Sequence, residues 1–309
     1  MSLFLAGLPL WVAAILLVVL PTIAAMCGPL LVRRQVGLER LISNNEIAGF
    51  KFAAVSVTYA VLIAFAVIVV WEKFNEAETA VVQEAGASAT IYLLTTGPDP
   101  EAVATRAALG NYLRLVIDRD WPLMATGKES PEVTQALNAL YAAALRLMEN
   151  GSRQPAIFVE MLKQLGAITQ ARRTRLHKES REMTQALNAL YPTALRLMEN
   201  GSRQPAIFVE MFKQLDAITQ ARRTRLRLAT GIVPGVVWLV LSCGAILTVG
   251  FTFFFGTENL PAQVMMTGIL SVIVFMGLLV IVLIEYPFTG PVHVGSEPLQ
   301  TVVEEFEHG

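Results

Sequence analysis

From Phe50 to Trp71 the only charged residue is Lys51, and Val, Ala, Ile, Leu and Phe fill most of the rest. At ~1.5 Å per residue a helix of this length crosses the ~30 Å hydrocarbon core of a bilayer. The polar segment next to it constrains the fold more strongly. Trp71-Glu72-Lys73-Phe74-Asn75-Glu76-Ala77-Glu78 leaves the apolar run, yet no Gly or Pro occurs between Phe50 and Gly86, so nothing stops the helix at the membrane boundary. The stretch from Gly49 to Leu94 therefore predicts one rod that couples a membrane part to a water-exposed part.

The rest of the chain divides around that rod. With 54% apolar and 16% charged residues, and the apolar excess gathered at the two ends, the composition is that of a polytopic membrane protein. Leu3 to Leu31 carries no charge and is expected to form the first span, tilted or bent at Pro21 and ending near Gly28-Pro29. A cleaved signal peptide fits poorly, because no Lys or Arg precedes the run and the run is too long. Arg33, Arg34, Arg40 and Lys51 mark a short basic loop, and Asn44-Asn45-Glu46 is a start signal for the second helix. Ala229 to Phe255 and Met265 to Leu283 give a third and a fourth span. The expected organisation is thus spans one and two over 1–71, a helical soluble region over 72–228, spans three and four over 229–285, and a turn with a short amphipathic helix over 286–309.

Charge does not orient the molecule. The loop between the first two spans holds four Lys or Arg; Lys73, Arg222, Arg223, Arg225 and Arg227 flank the other side. Residues 72–228 hold 20 Lys or Arg against 17 Asp or Glu, and beyond Phe255 there are six acids and no Lys or Arg. That balance, with a formal net charge of −1, excludes a dedicated nucleic-acid binder. Cys27 and Cys243 sit in apolar segments and read as small buried thiols.

Helical periodicity runs through the central region. Asp99-Pro100-Glu101 starts a helix expected to reach about Asp120, with Leu109, Tyr112, Leu113, Leu115 and Val116 on its apolar side and Trp121-Pro122 as its stop. Residues 128–177 and 178–227 are then the same 50-residue segment twice, differing only at 131/181, 133/183, 142/192, 143/193, 162/212, 166/216 and 177/227. Each copy reads as an antiparallel hairpin. In the first, Leu137, Leu140, Tyr141, Ala144, Leu145 and Met148 form one stripe, Asn150-Gly151-Ser152 closes the helix, and Ile157, Phe158, Met161, Leu165 and Ile168 form the next. Between the copies, Arg172 to Leu190 lacks Gly and Pro, which permits one continuous helix kinked at Pro192. Identity extends to surface positions such as Gln164/Gln214, which marks a young duplication and not an old solenoid, so one copy is expected to be dispensable. In the tail, Ser296 precedes a helix whose Leu299, Val302, Val303 and Phe306 share one face, suited to docking on the bundle or at the membrane interface.

No catalytic centre emerges. His177, His293 and His308 are scattered, no Cys/His pair has metal spacing, and no glycine-rich phosphate loop occurs, so no cofactor, metal or catalytic residue is expected. Gly231 and Gly235 form a G-x-x-x-G that serves either helix packing or backbone clearance around Pro234. The spans have no charged residue in their interiors, only Lys51 and Glu285 at their edges, whereas proton-coupled transporters place ionisable groups at membrane depth. A channel has no such requirement. In a pore lined by the second span, Phe65 and Val69 would be the lining and Glu72, Lys73, Asn75 and Glu76 the rings at its mouth; the plainer reading of these polar residues is a solvated helix exit.

Asn44-Asn45-Glu46-Ile47-Ala48-Gly49-Phe50, Tyr59-Ala60-Val61-Leu62 and Val70-Trp71-Glu72-Lys73-Phe74 resemble the bacterial bestrophin-like domain family. Asp120-Trp121-Pro122, Arg222-Arg223-Thr224-Arg225 and Pro287-Phe288-Thr289-Gly290 resemble its later landmarks, so the resemblance covers nearly the whole chain. It implies an all-α integral membrane protein of the bacterial inner membrane, with four spans and the helical region in the cytoplasm. True bestrophins are pentameric anion channels, and their second span leaves the membrane through a Phe-x-Glu-Ala type segment, which Phe74-Asn75-Glu76-Ala77 matches. The resemblance thus implies a homo-oligomer in contact with membrane lipid and inorganic anions. The bestrophin calcium clasp has no counterpart: Glu304, Glu305 and Glu307 do not reproduce its spacing. The extra 50-residue copy also departs from the family pattern.

Overall fold

The computed structural model describes residues 2–43, 45–151 and 205–308, and no strand occurs among them. The protein is all-α. Helix α1 (Ser2–Ala6) is followed by the four membrane-length helices: α2 (Leu10–Gln35), α4 (Asn45–Leu94), α9 (Gly235–Phe254) and α10 (Leu260–Ile284). Between them lie α3 (Leu38–Ser43), α5 (Pro100–Leu115), α6 (Trp121–Met124), α7 (Pro131–Gly151) and α8 (Pro205–Ala229), and α11 (Glu297–His308) ends the chain. Asn44, the second helix of the first repeat copy and the whole junction through Pro192 fall outside the described residues.

The rod is continuous: α4 is a single helix of 50 residues. Gly86 does not interrupt it, since a lone glycine in a long helix costs only ~1 kcal/mol and packing supplies more. The chain forms two compact units, one of Met1–Glu78, Met124–Lys128 and Leu226–Gly295, the other of Thr79–Leu123, Glu129–Arg225 and Ser296–Gly309, and α4 contributes to both.

In the membrane unit, α10 packs along α2 and is the most enclosed span; over half of its apolar window is buried, against about a tenth for α4. The core joins Ala25 of α2, Tyr59 and Val70 of α4, Leu241, Ala245 and Val249 of α9, and Val274, Leu278 and Ile281 of α10. Close approaches require glycine here. A Cβ on Gly28 would meet the Phe253 ring at 2.4 Å, and one on Gly244 would meet the Tyr59 ring at 2.5 Å.

That packing corrects the expected end of the first span. Gly28-Pro29 does not stop α2, which continues to Gln35, because Gly28 is a clearance for Phe253 and the surrounding helices hold the segment in place. Nor does the span begin at Leu3; the break falls at Gly7 to Pro9, where Pro9 precedes α2. Pro21 sits after a π-turn, Ile15–Val19, in which Leu20 N–H donates to Ile15 O. The same arrangement recurs at Pro122: the π-turn Val116–Asp120, closed by Trp121 N–H to Val116 O, carries the helix past Trp121-Pro122 to Met124 instead of stopping it. In both cases the wider turn absorbs a proline that cannot donate to the preceding turn.

Three further expectations shift. The third span starts at Gly235, not Ala229, because Gly231 adopts φ +97° and Pro234 occupies the N-cap. The G-x-x-x-G is therefore backbone clearance: Gly231 lies outside the helix beneath the Tyr286 ring. The fourth span starts earlier than Met265, at Leu260, since Asn259 Oδ1 accepts from Ala262 N–H at 3.2 Å and caps it. Finally, Cys27 and Cys243 are exposed on membrane-length helices and not buried, a place where a lipid-facing thiol loses nothing.

In the helical unit, α5 packs on α7, burying Leu109, Tyr112 and Leu113 against the stripe Leu137, Leu140, Ala144, Leu145 and Met148. α8 adds Phe208, Met211, Leu215 and Ile218 to the buried set. The tail helix belongs to this unit: Leu299 and Val302 are buried, Phe306 stacks on Tyr92 at 4.0 Å, and Arg114 lies 3.8 Å from Glu307.

One bond bears on the duplication. Tyr141 of the first copy donates to Leu215 O of the second at 3.1 Å and contacts Thr219 Oγ1 at 2.8 Å. The first helix of copy one and the second helix of copy two thus supply one complete hairpin. Deleting 152–201 joins Gly151 to Ser202, the Gly-Ser step present in both copies, and keeps both partners of this contact. The shortened protein is expected to elute at an unchanged oligomeric state and melt within a few degrees of the parent; aggregation would show that the second copy is integral.

Candidate functional site

The second span presents two different sides. Tyr59, Ile63, Ala66 and Val70 face the core, and Tyr59 Oη donates to Leu241 O at 3.1 Å. On the opposite side Val57, Val61, Phe65, Ile68, Glu72 and Asn75 recur at helical spacing, and all are exposed. Phe65 is 64% and Val69 50% exposed, so this apolar face has no partner within the described residues of the chain.

The polar exit separates the residues that the sequence grouped together. Glu72 and Asn75 lie on the exposed stripe. Lys73 and Glu76 are partly covered and paired: Lys73 Nζ is 2.6 Å from Glu76 Oε2, and Arg227 Nη2 donates to Glu76 Oε1 at 2.5 Å. Trp71 stacks on Phe74, ring centroids 6.3 Å apart, and the half-buried Phe74 closes the core at this level. At the other end of the span, Asn45 makes a two-way clamp with the loop after α9, donating through Nδ2 to Gly256 O at 2.5 Å and accepting from Gly256 N–H at 2.9 Å. Glu46 is exposed and Gly49 half-buried.

The helical unit holds a buried charge network. Arg225 is fully buried and grips Glu84 with two prongs, Nε to Oε2 at 2.7 Å and Nη2 to Oε1 at 3.0 Å. Tyr112 Oη donates to Glu84 Oε1 at 2.6 Å, and the Arg225 guanidinium lies 4.8 Å over the Trp121 ring. Burial, and next the Glu84 carboxylate, push the Tyr112 phenol well above its usual range, so it stays a donor. The Glu84 carboxylate, bonded to Arg225 and also facing Tyr112, keeps the buried guanidinium charged against the cost of burial. Alongside, Arg222 pairs with Asp120, Nε to Oδ2 at 2.9 Å, and also reaches Thr134 Oγ1 and Ser130 O, while Asp120 Oδ1 accepts from Ser130 N–H.

Of the sequence landmarks, Trp121, Arg222 and Arg225 therefore meet in one network, and the adjoining Pro122 is exposed. Arg223 points away and is exposed. Pro287 and Phe288 are buried in the membrane unit, and Thr289 Oγ1 donates to Ala125 O at 3.0 Å. Sequence reasoning missed Glu84. Its position was visible all the same: Ala77, Ala80, Val81, Glu84, Ser88 and Ile91 fall at three- and four-residue steps, so an acid occupied an apolar stripe.

The Bestrophin-like domain profile matches residues 19–183 and again 176–299. The two matches overlap over residues 176–183, a stretch that contains the 177/178 boundary between the repeat copies. Among solved structures, a point mutant of a bacterial bestrophin homologue from Klebsiella pneumoniae aligns with a TM-score of 0.56 at 15% identity, over 94% of this chain and 96% of that one. A mutant of a protein described only as a membrane protein gives 0.56 at 14% identity over 94% and 96%. A second mutant of the Klebsiella pneumoniae homologue gives 0.54 at 15% identity over 94% and 97%. At these identities the likeness is one of fold. A search of curated proteins gives no match. With the profile covering nearly the whole chain in two consecutive segments, this four-span helical protein belongs to the Bestrophin-like domain family.

Proposed function

We propose that the protein is a homo-oligomeric ion channel of the bacterial inner membrane, with its helical unit in the cytoplasm and its pore lined by the second span. Anions are the proposed cargo and a pentamer the expected stoichiometry, both carried over from the resemblance to bestrophins. One observation supports the reading above the others: the stripe Val61, Phe65, Ile68, Glu72 and Asn75 is uncovered among the described residues, and α4 has the smallest buried share of the four spans. Subunits meeting across α4 would place Phe65 and Val69 as an apolar constriction and Glu72 and Asn75 at the mouth. Lys73 and Glu76 would brace the helix exit through Arg227 instead of facing permeant ions.

The experiment is chloride flux from liposomes containing the purified protein. Flux well above empty vesicles is expected. Glu72→Gln removes a ring of negative charge from the mouth and is expected to raise chloride flux several-fold, because like charge excludes anions from a narrow entry. No flux from any preparation would assign the chain to the alternative, a non-conducting structural or sensory membrane protein whose helical bundle binds a protein partner. A cation preference abolished by Glu72→Gln would overturn the choice of anions.

A further inference from the structure

Where α10 ends and α9 begins, the membrane unit contains a cavity of about 370 Å³, lined by the loop Thr230–Pro234, Gly235, Trp238, Glu285 and Tyr286. Glu285 is 1% exposed. Its Oε1 accepts from Trp238 Nε1–H at 3.0 Å. Its Oε2 is buried and has no hydrogen-bond partner among the described residues. No Lys, Arg or His is among the described residues that line the cavity. One donor leaves much of the carboxyl group unsatisfied, nothing in that lining balances a negative charge on it, and a buried unpaired carboxylate is costly.

From this geometry we infer that the cavity is a binding site for an organic ammonium group, held by Glu285 between the Trp238 and Tyr286 side chains. A calcium ion suits the site poorly. It would need six to eight oxygen ligands, and the lining offers one carboxylate. The walls instead combine that charge with two aromatic residues and the apolar Ile232, Val233 and Pro234, the surroundings that recognise an alkylammonium. Gly231 keeps the loop close to Tyr286: it adopts φ +97°, and a Cβ there would lie 2.8 Å from the ring. The site lies where one span ends and another begins, so the ammonium can come from a small soluble amine or from a lipid headgroup.

The test uses the full-length protein and two variants. Glu285→Gln removes the charge and keeps an oxygen for the Trp238 donor. Gly235→Leu fills the cavity from a position where a Cβ meets nothing within 4 Å, leaving the carboxylate untouched. Ethanolamine binding is measured by calorimetry in detergent, and retention of phosphatidylethanolamine over phosphatidylglycerol by native mass spectrometry. Saturable binding of either probe, weakened at least tenfold in both variants, is the expected result. Binding of ethanolamine alone identifies a soluble amine as the occupant; retention of the lipid alone identifies a headgroup. Failure of both probes, or equal binding by the parent and Gly235→Leu, overturns the inference. Because the readouts are binding, they are independent of whether the protein conducts ions.

Discussion

Arg225→Ala is expected to lower stability by ~3–5 kcal/mol, enough to prevent recovery of folded protein at growth temperature. The cause is what the substitution leaves behind. Glu84 would remain buried with Tyr112 as a single donor, having lost both guanidinium prongs. Arg225→Lys should recover only part of the loss, because an ammonium cannot make the two-pronged contact or lie flat over Trp121. Replacing the whole set by apolar residues of similar size, Glu84→Leu with Tyr112→Phe and Arg225→Met, should restore most of the stability, since no charge is then stranded. Denaturation in detergent followed by tryptophan fluorescence distinguishes these cases. If the triple variant were as damaged as Arg225→Ala, the network would have a role beyond holding the helices together.

The second large effect is expected at Gly290. Its φ of +84° is strained for any residue with a side chain, and a Cβ there would run into the Ala6 carbonyl. Gly290→Val combines left-handed backbone strain of ~1–2 kcal/mol or more with an overlap that neither backbone can relieve cheaply, for a total on the order of 3–5 kcal/mol. The expected outcome is protein that reaches the membrane fraction but aggregates on extraction. Gly86 provides the contrast. It lies within α4, where an added methyl group would meet nothing within 4 Å, so Gly86→Ala should raise the melting temperature slightly. Equal behaviour of the two variants would contradict the assignment of Gly290 as a conformational requirement.

Local chemistry made much of this fold readable. The continuity of α4 followed from an absence of helix breakers, and the bundle stripes followed from their three- and four-residue spacing. Proline was the weak point. Pro29 and Pro122 look like stops and Pro21 like a bend, but π-turns ahead of Pro21 and Pro122 and the packing around Gly28 carry the helices past them. Such turns depend on tertiary support, which a local pattern does not contain. The same limit applies to the charges. Arg222, Arg225 and Trp121 stood out as landmarks, but Glu84 acquires its meaning from Arg225, 141 residues away. Conversely, Lys73 and Glu76 looked equivalent to Glu72 and Asn75 along the chain; what sets them apart is pairing, since Lys73 bridges to Glu76 and Arg227 reaches Glu76 as well.

The proposed pore depends on subunits assembling around the second span. A single-particle reconstruction of the purified full-length protein decides the point. The expected image is a ring with an axial hole in the membrane region, with Val61, Phe65, Ile68 and Glu72 of each subunit turned toward the axis. A monomer, or a ring whose axis is lined by α2, α9 or α10 while the α4 stripe faces lipid, would contradict it.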